Sequence, residues 1–214
     1  MTNLQMRLPT DRWVAASWEA YLQAIADPAY ATARGYYYHG HMRLEMSPVS
    51  FDHGQDHVVI IFAVNLFAAL RGMPATGLDT VTLRKAGIGD CQPDVSYYLG
   101  DRARVIPTGT GIVNLDQYPA PNLVIEVAKS SLLDDLGIKR SLYETLGVAE
   151  YWVVDVESAQ LVAYAMRDRG SHRIQVSQVL PGLDLAVLEE ALRRSRETDQ
   201  SQVGAWLLTQ FQTP

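Results

Sequence analysis

Apolar residues recur at helical spacing in several segments of the chain. Between residues 13 and 25 they predict a first helix, which Thr10 or Asp11 would cap and Pro28 would end. Residues 52–70 predict a longer helix with only a narrow polar face, as is typical of a core helix or a helix at a subunit interface. Further helices are predicted at residues 134–146, about 184–194 and about 200–211.

Strands are predicted where apolar residues alternate with polar ones or form short continuous runs. Residues 35–38 and 42–46 predict a hairpin that turns at His39 and Gly40. The other predicted strands are residues 81–85, 94–99, 122–128 and 151–156, followed by a hairpin of residues 160–166 and 173–180. Because strands and helices interleave without a regular β-α-β repeat, the pattern predicts an α/β fold with a mixed central β-sheet flanked by α-helices.

The composition is that of an ordinary globular protein, with 48% hydrophobic and 20% charged residues. No repeat or linker interrupts the sequence, so we expect a single domain of residues 1–214. The one cysteine, Cys91, excludes an internal disulfide and a cysteine-based zinc cluster.

The sequence predicts a cytoplasmic protein without membrane contact. The first nine residues contain no long apolar run, so no signal peptide is expected, and no segment approaches the ~20 apolar residues of a membrane helix. The formal net charge of −6 is unusual for a DNA-binding protein. A DNA-binding protein of this charge would need a locally basic face.

Two acidic residues fall in apolar strands. Alternation places Glu126 on one face with Val124 and Ala128. A buried carboxylate costs several kcal/mol unless it is paired, so Glu126 needs either a structural partner or a metal ion. Asp94 opens another apolar strand directly after a proline, where a turn or cap role is the common alternative. Two carboxylates on separate buried strands also match what a magnesium ion needs.

Lys139 is the candidate cation for this site. It shares one helical stripe with Leu142, Tyr143 and Leu146, so its side chain either extends along the apolar surface or reaches the sheet near Glu126. Beside a metal, an ammonium group would orient a water or stabilise charge on a phosphate. Lys129 is the rival, but it lies three residues after Glu126 and therefore on the opposite face of a continuing strand.

An aspartate followed by Glu-x-Lys on the next strand is the pattern of the PD-(D/E)XK nucleases, and this chain resembles their Uma-type restriction endonuclease family. The matching blocks are residues 43–48, 52–54, 92–96, 123–127, 134–140, Tyr143 and 147–155. The resemblance implies a restriction-endonuclease-like core at about residues 36–156, followed by a C-terminal hairpin and helices at about 160–211. It also implies a divalent cation, Mg²⁺ or Mn²⁺, and hydrolysis of phosphodiester bonds in DNA.

The resemblance assigns roles to four residues. Asp94 and Glu126 match the two acidic metal ligands and catalytic acids of the family. The lysine that usually follows the glutamate is replaced by Ala128, and Lys139 is the substitute candidate. Glu45 falls where related nucleases add a further acidic residue, with an exposed strand glutamate as the equal alternative.

Other residues allow weaker hypotheses. His53 and His57 have a spacing that can chelate a transition metal, although the sequence offers no third ligand, and His53 alone could bind a phosphate. The tyrosines at 36–38 could stack on bases or pack a core and an interface. Helix capping accounts for Asp134 and Asp135.

Two functions therefore stay open at this stage. The first is a magnesium-dependent endonuclease that acts on DNA. The second is a nuclease-fold module that binds nucleic acid or a protein without cleaving it. The apolar helix and the tyrosine run also predict a homodimer.

Overall fold

The computed structural model describes residues 8–167 and 170–212, which form twelve strands and six α-helices. The strands are β1 (Val14–Ala15), β2 (Arg34–Tyr38), β3 (His41–Glu45), β4 (Ala75–Asp79), β5 (Thr82–Lys85), β6 (Gly89–Cys91), β7 (Val95–Leu99), β8 (Ile112–Asn114), β9 (Leu123–Ala128), β10 (Glu150–Asp155), β11 (Gln160–Arg167) and β12 (Gly170–Ile174). The helices are α1 (Trp18–Ala26), α2 (Phe51–Leu70), α3 (Leu132–Asp134), α4 (Arg140–Leu146), α5 (Leu185–Arg194) and α6 (Gln200–Gln212). A π-helical turn, Asp135–Lys139, joins α3 to α4, and short 3-10 turns occur at Pro28–Tyr30 and Gly100–Arg102. The expectation that the chain has no signal peptide rests on its first nine residues. Residues 1–7 of that segment lie outside the described residues.

The strands form two six-stranded sheets, with the orders β1-β3-β2-β6-β5-β8 and β12-β11-β10-β9-β7-β4. Both sheets are mixed, because β5 is parallel to β8 and β9 is parallel to β10 while the other pairs are antiparallel. The predicted α/β class is confirmed. The predicted mixed sheet flanked by helices is present, and a second mixed sheet accompanies it, because the N-terminal hairpin joins the short strand β6 through the pair Tyr37–Asp90.

The two faces of β9 enter different hydrophobic cores, as strand alternation predicts. Leu123, Ile125 and Val127 pack with α2, α5 and α6 on one side of the second sheet. Val124 and Ala128 face the other side, where they join residues of α4 and of the first sheet. Glu126 points to this second side, between the two sheets.

The predicted long helix is α2, which begins one residue earlier than expected. Ser50 caps it by accepting a hydrogen bond from the His53 amide (3.3 Å). Among the described residues, α2 is the one helix long and apolar enough to cross a membrane, contrary to the expectation that no segment reaches that length. The same composition suits a core helix, and the α2 residue Asp56 is fully buried, where it is bound by Arg196 from beyond α5.

The first helix begins later than predicted. Ser17, rather than Thr10 or Asp11, caps α1 by accepting a hydrogen bond from Ala20 (3.1 Å). Asp11 instead accepts hydrogen bonds from the amides of Met46 (3.1 Å) and Ser47 (3.2 Å), just beyond β3. Asp11 therefore fixes the exit of β3, which leads directly into the candidate site.

Helix α4 lies close to β6 because β6 begins with a glycine. A Cβ atom at Gly89 would lie 2.7 Å from Leu142 Cδ1 and 3.1 Å from Leu146 Cδ2. A side chain at Gly89 would therefore require the side chains of Leu142 and Leu146, or α4 itself, to move. Gly147, which ends α4 as predicted, adopts the left-handed conformation with φ of 86°.

Candidate active site

A cavity of about 810 Å³ opens where β2 and β3 of the first sheet face β9 and the start of β7 in the second. All four predicted site residues line it: Glu45, Asp94, Glu126 and Lys139. They come from four different elements, so the tertiary fold alone brings them together.

Asp94 immediately precedes β7 and is only 2% exposed. Its Oδ2 accepts a hydrogen bond from the Val127 amide (2.8 Å) and lies 3.4 Å from His53 Nε2. Its Oδ1 accepts a hydrogen bond from the Arg34 guanidinium. Burial alone would raise the pKa of Asp94, but the hydrogen bond from His53, the charge of Arg34 and the Val127 amide together lower the pKa. Asp94 is therefore held as a carboxylate.

Glu126 is equally buried, at 2% exposure, but fewer positive charges and hydrogen-bond donors stabilise its carboxylate than stabilise that of Asp94. Its Oε1 accepts hydrogen bonds from the phenols of Tyr143 (2.5 Å) and Tyr36 (3.4 Å), and Lys139 Nζ lies 3.7 Å away. Burial raises the pKa of Glu126 well above its usual value, and the nearby acids Asp135 and Asp94 raise it further, although Lys139 lowers it. The cavity thus contains one carboxyl group that holds its charge readily and one that does not.

Lys139 is 1% exposed, so the prediction that it shares the inward stripe of the helix is confirmed. Its Nζ lies 3.0 Å from Asp135 Oδ1 and 3.1 Å from Glu45 Oε1, and 4.0 Å from the centre of the Tyr36 ring. Burial lowers its pKa, but Glu126, Asp135 and Glu45 more than reverse this and leave the pKa well above its usual value. The π-helical turn that ends at Lys139 is a feature often found at functional sites.

Glu45 is not the exposed strand glutamate of the structural alternative, since its side chain is only 17% exposed. Its Oε1 accepts a hydrogen bond from Arg43 Nε (2.8 Å) and forms an ion pair with Lys139 Nζ. Arg43 also donates to Asp134 Oδ2 (2.9 Å), which ties β3 to α3. The same-face placement of Arg43 and Glu45 follows from strand alternation.

The explanation of Asp134 and Asp135 by helix capping is wrong. Asp134 pairs with Arg43, and Asp135 is fully buried, where it pairs with Lys139 and accepts a hydrogen bond from Ser131 Oγ (2.6 Å). The π-helical turn rotates Asp135 inward. Burial raises the pKa of Asp135, although Lys139 and Ser131 lower it in part.

Lys129 and the two histidines occupy the edge of the site. Lys129 lines the cavity but is 41% exposed in its side chain and pairs with Asp52 (2.8 Å). His57 Nε2 donates to the Asp94 carbonyl oxygen (3.2 Å), so His53 and His57 contact different atoms of Asp94. In the part of the chain that the structure describes, no group of three or more histidine, cysteine or acidic residues is arranged to hold a metal ion. The transition-metal hypothesis for the histidine pair therefore gains no third ligand.

The ion-pair network of the site has an excess of negative charge. It contains five carboxylates, those of Glu45, Asp94, Glu126, Asp134 and Asp135. Three permanent cations face them, namely Arg34, Arg43 and Lys139. The difference equals the charge of one divalent cation when every acid is ionised.

Sequence reasoning missed Arg34 and the contacts that Arg43 and Tyr143 make with the acids. Tyr36, considered for base stacking, instead packs its fully buried ring beside Lys139. The helical spacing of Lys139 and Tyr143 was a usable signal, since residues four apart lie on one face and both reach Glu126 Oε1. Arg34 had no comparable signal, because its partner Asp94 is 60 residues away in sequence.

Comparison with known proteins identifies the fold and the family. A solved structure described as that of a putative nuclease belonging to DUF820 from Anabaena variabilis superimposes with a TM-score of 0.57 at 14% identity, covering 82% of this chain and 98% of the other. At this identity the likeness concerns the fold. No curated protein matches the chain in sequence. The family model Uma2, described as "Putative restriction endonuclease", matches residues 18–201. The chain therefore belongs to the Uma2 family, whose description is "Putative restriction endonuclease".

Proposed function

We propose that this protein is a magnesium- or manganese-dependent endonuclease that hydrolyses phosphodiester bonds in DNA. The observation that carries the proposal is the excess of two negative charges in the ion-pair network of the site when every acid is ionised, together with the raised pKa of the buried Glu126. A divalent cation beside Glu126 would supply the missing compensation and hold its carboxylate ionised.

The side chains fit such a cation by their chemistry. Magnesium takes oxygen ligands and often uses only one or two carboxylates, with water and substrate completing its shell. Asp94 and Glu126 would supply those carboxylates. Both oxygens of Asp94 already have protein partners, so binding would require Arg34 or His53 to give up part of its contact.

The bound cation would neutralise charge on the scissile phosphate and acidify the attacking water. The protein's own residues would do the remaining work. The Lys139 ammonium, held by Glu45 and Asp135, would donate to that water or to a phosphate oxygen at the cavity wall. Tyr143 and Tyr36 would fix the Glu126 carboxylate through their hydrogen bonds. The buried walls would limit access of bulk water to the reacting groups.

The test is a cleavage assay on plasmid, linear duplex and single-stranded DNA, and on RNA, with Mg²⁺, Mn²⁺ or chelator. We expect cleavage that needs the metal and that falls at least a hundredfold in Asp94→Asn and Glu126→Gln. Glu157→Gln is the matched control, because Glu157 lines the cavity but is exposed at its edge, and this variant should keep its activity.

Titration calorimetry with Mn²⁺ gives a second measurement that does not depend on catalysis. Wild type and Glu157→Gln should bind the ion, and Glu126→Gln should bind it at least tenfold more weakly. Metal-dependent cleavage at wild-type rates by both acid variants would refute the mechanism.

A second candidate function is a nuclease-fold module that binds nucleic acid or protein without cleavage. The contacts of Arg34 and His53 with Asp94 favour it, because they satisfy both carboxylate oxygens without a metal. Under this alternative, calorimetry would detect no metal binding, and the acid variants would keep their ligand affinity.

Homodimerisation and the cytoplasmic location stay predictions. On α2, Val58 and Phe62 are 49% and 45% exposed, which leaves an apolar strip beside α6. Light scattering at high concentration measures whether two copies associate.

A further inference from the structure

The two most exposed large hydrophobic side chains among residues 8–167 and 170–212 both belong to segments that line the candidate site. Phe51 is 80% exposed and Leu133 is 86% exposed, whereas every other such residue is 55% exposed or less. Phe51 directly follows Ser50, which lines the cavity, and Leu133 lies two residues after Ser131, which lines it also. Such exposure is informative because it is combined with a concave, charged site.

An ion pair connects the two segments that carry these residues. Lys129 Nζ pairs with Asp52 Oδ2 at 2.8 Å, which joins the chain after β9 to the first turn of α2. Phe51 is therefore adjacent to one end of this ion pair, and Leu133 is the second residue of α3, the helix that follows its other end. Met46 and Val49, 40% and 55% exposed, line the cavity itself. We refer to Met46, Val49, Phe51 and Leu133 as the apolar rim.

The charges of the cavity argue against a substrate held chiefly by its phosphates. Four permanent cations line it: Arg34, Arg43, Lys129 and Lys139. Each of them is already paired with a carboxylate. Five acids, Asp11, Glu45, Asp94, Glu126 and Glu157, line the same cavity, and the whole chain has a net charge of −6. Proteins bind duplex DNA largely through free lysines and arginines, which neutralise its phosphates and release the cations condensed on the DNA.

A nucleic acid with unpaired bases complements this surface better. Its bases are apolar on both faces and stack on aromatic or aliphatic side chains, which supplies affinity that does not depend on net charge. The metal-binding acids would then take one phosphate, while the rim takes the neighbouring bases. Phe51 offers an aromatic face and Leu133 a branched aliphatic one.

We infer that the apolar rim binds unpaired nucleobases next to the scissile phosphate, so that the substrate is single-stranded or locally unpaired nucleic acid. This inference rests on the proposed nuclease function, because it takes the phosphate position from the site at Asp94 and Glu126. Phe51 and Leu133 are specificity-determining residues in this scheme.

The test is binding of a fluorescein-labelled 20-nucleotide strand, measured by anisotropy with the wild-type protein in Ca²⁺ in place of Mg²⁺. The competitors are the same strand in a duplex and an abasic strand with equal backbone charge. We expect the intact strand to bind at least tenfold more tightly than either competitor. Stacking contributions of about 1–3 kcal/mol per base correspond to a loss of roughly 5- to 150-fold in Phe51→Ala.

Phe62→Ala is the matched control, because Phe62 lies on the same helix, is 45% exposed and faces α6 rather than the cavity. Phe62→Ala should leave the affinity for the strand unchanged. Leu133→Ala should weaken strand binding, and its matched control, Leu208→Ala, should not. Circular dichroism verifies the fold of each variant. We expect every variant to fold, because each substitution changes a side chain that is exposed on the surface.

Several results would overturn the inference. These are equal affinity for intact and abasic strands, tighter binding of the duplex, no binding of any strand, or no effect of Phe51→Ala. A change of oligomeric state in Phe51→Ala, detected by light scattering, would assign the rim to contact with a second copy instead. The two proposals can fail separately. If strand binding depends on Phe51 but no metal-dependent cleavage occurs, the nuclease function is rejected and base binding by the apolar rim is retained. If duplex DNA is cleaved at the same rate by wild type and Phe51→Ala, the nuclease function is retained and base binding by the apolar rim is rejected.

Discussion

Replacement of Lys139 by methionine removes one positive charge from the centre of the site while keeping an unbranched side chain of similar length. Lys139 is 1% exposed and lies within 4 Å of the carboxylates of Glu45, Glu126 and Asp135. In Lys139→Met, two fully buried acids, Glu126 and Asp135, lose the cation they share. Each must then remain charged without compensation or take up a proton on folding.

The expected loss of stability follows from this burial. Breaking a buried ion pair by removing one partner costs about 3–5 kcal/mol, because the other charge is left uncompensated. For a chain of 214 residues this corresponds to a Tm lower by roughly 6–20 °C.

The loss should also depend on pH. Lys139 lowers the pKa of Glu126 and Asp135, so its removal raises both pKa values further. A carboxyl group with a raised pKa in the folded state binds a proton more tightly there than in the unfolded chain. Its presence therefore costs stability as the pH rises above the ordinary values of 4.5 and 3.8. The deficit of Lys139→Met should be larger at pH 8 than at pH 5.

Urea denaturation monitored by tryptophan fluorescence at both pH values measures this deficit. Lys129→Met is the matched control, since it makes the same substitution in an ion pair whose lysine is 41% exposed, and it should cost less than about 1 kcal/mol. If Lys139→Met and Lys129→Met have the same stability at pH 8, Lys139 does not compensate the buried acids.

Two further predictions concern buried acids outside the site. Glu150, which is fully buried, accepts hydrogen bonds from Trp152 Nε1 (2.6 Å) and from the amides of Gln178 (2.8 Å) and Val179 (3.2 Å). Glu150→Ala should therefore lose about 3–6 kcal/mol in urea denaturation, and Glu150→Gln less; a loss below 1 kcal/mol in the alanine variant would contradict this. Burial raises the pKa of Asp90 to about 6, although Arg84 lowers it. Because the folded state holds this proton more tightly, the stability from protonated Asp90 is present below pH 4 and is lost as the pH rises through 6, by on the order of 3 kcal/mol. Asp90→Asn should flatten the stability curve between pH 4 and 7, and an unchanged slope would reject the assignment.

Local patterns predicted most helices and the central strands correctly, because each depends on residues close in sequence. The long helix α2 and the faces of β9 follow from periods of about 3.6 and 2. Strands β4 and β6 were missed. β4 contains exposed residues and a glycine, and β6 has only three residues, so neither has an apolar pattern of its own. Their strand conformation comes from pairing with β7 and β5, which no local rule describes.

The acids of the candidate site could be predicted because a carboxylate in an apolar strand is costly and therefore conspicuous. Their partners could not. Arg34 and Arg43 belong to a hairpin in a separate sheet, and only the packing of the two sheets brings them to the acids. Asp135 looked like a helix-terminal residue because the π-helical turn that buries it cannot be distinguished from an ordinary helix by sequence spacing.

The position of the lysine follows from the environment of β9. A lysine two residues after Glu126 would replace Ala128, which is fully buried in the core shared by the second sheet and α4. A long cationic side chain there would displace apolar residues of that core. The charge must therefore come from an element that crosses this face of the strand, and the π-helical turn before α4 does so. Because Lys139 and Tyr143 are four residues apart, one helical face brings both the ammonium and a phenol to Glu126 Oε1. Displacement of α4, for example by a side chain at Gly89, should thus remove the charge and the hydrogen bond together.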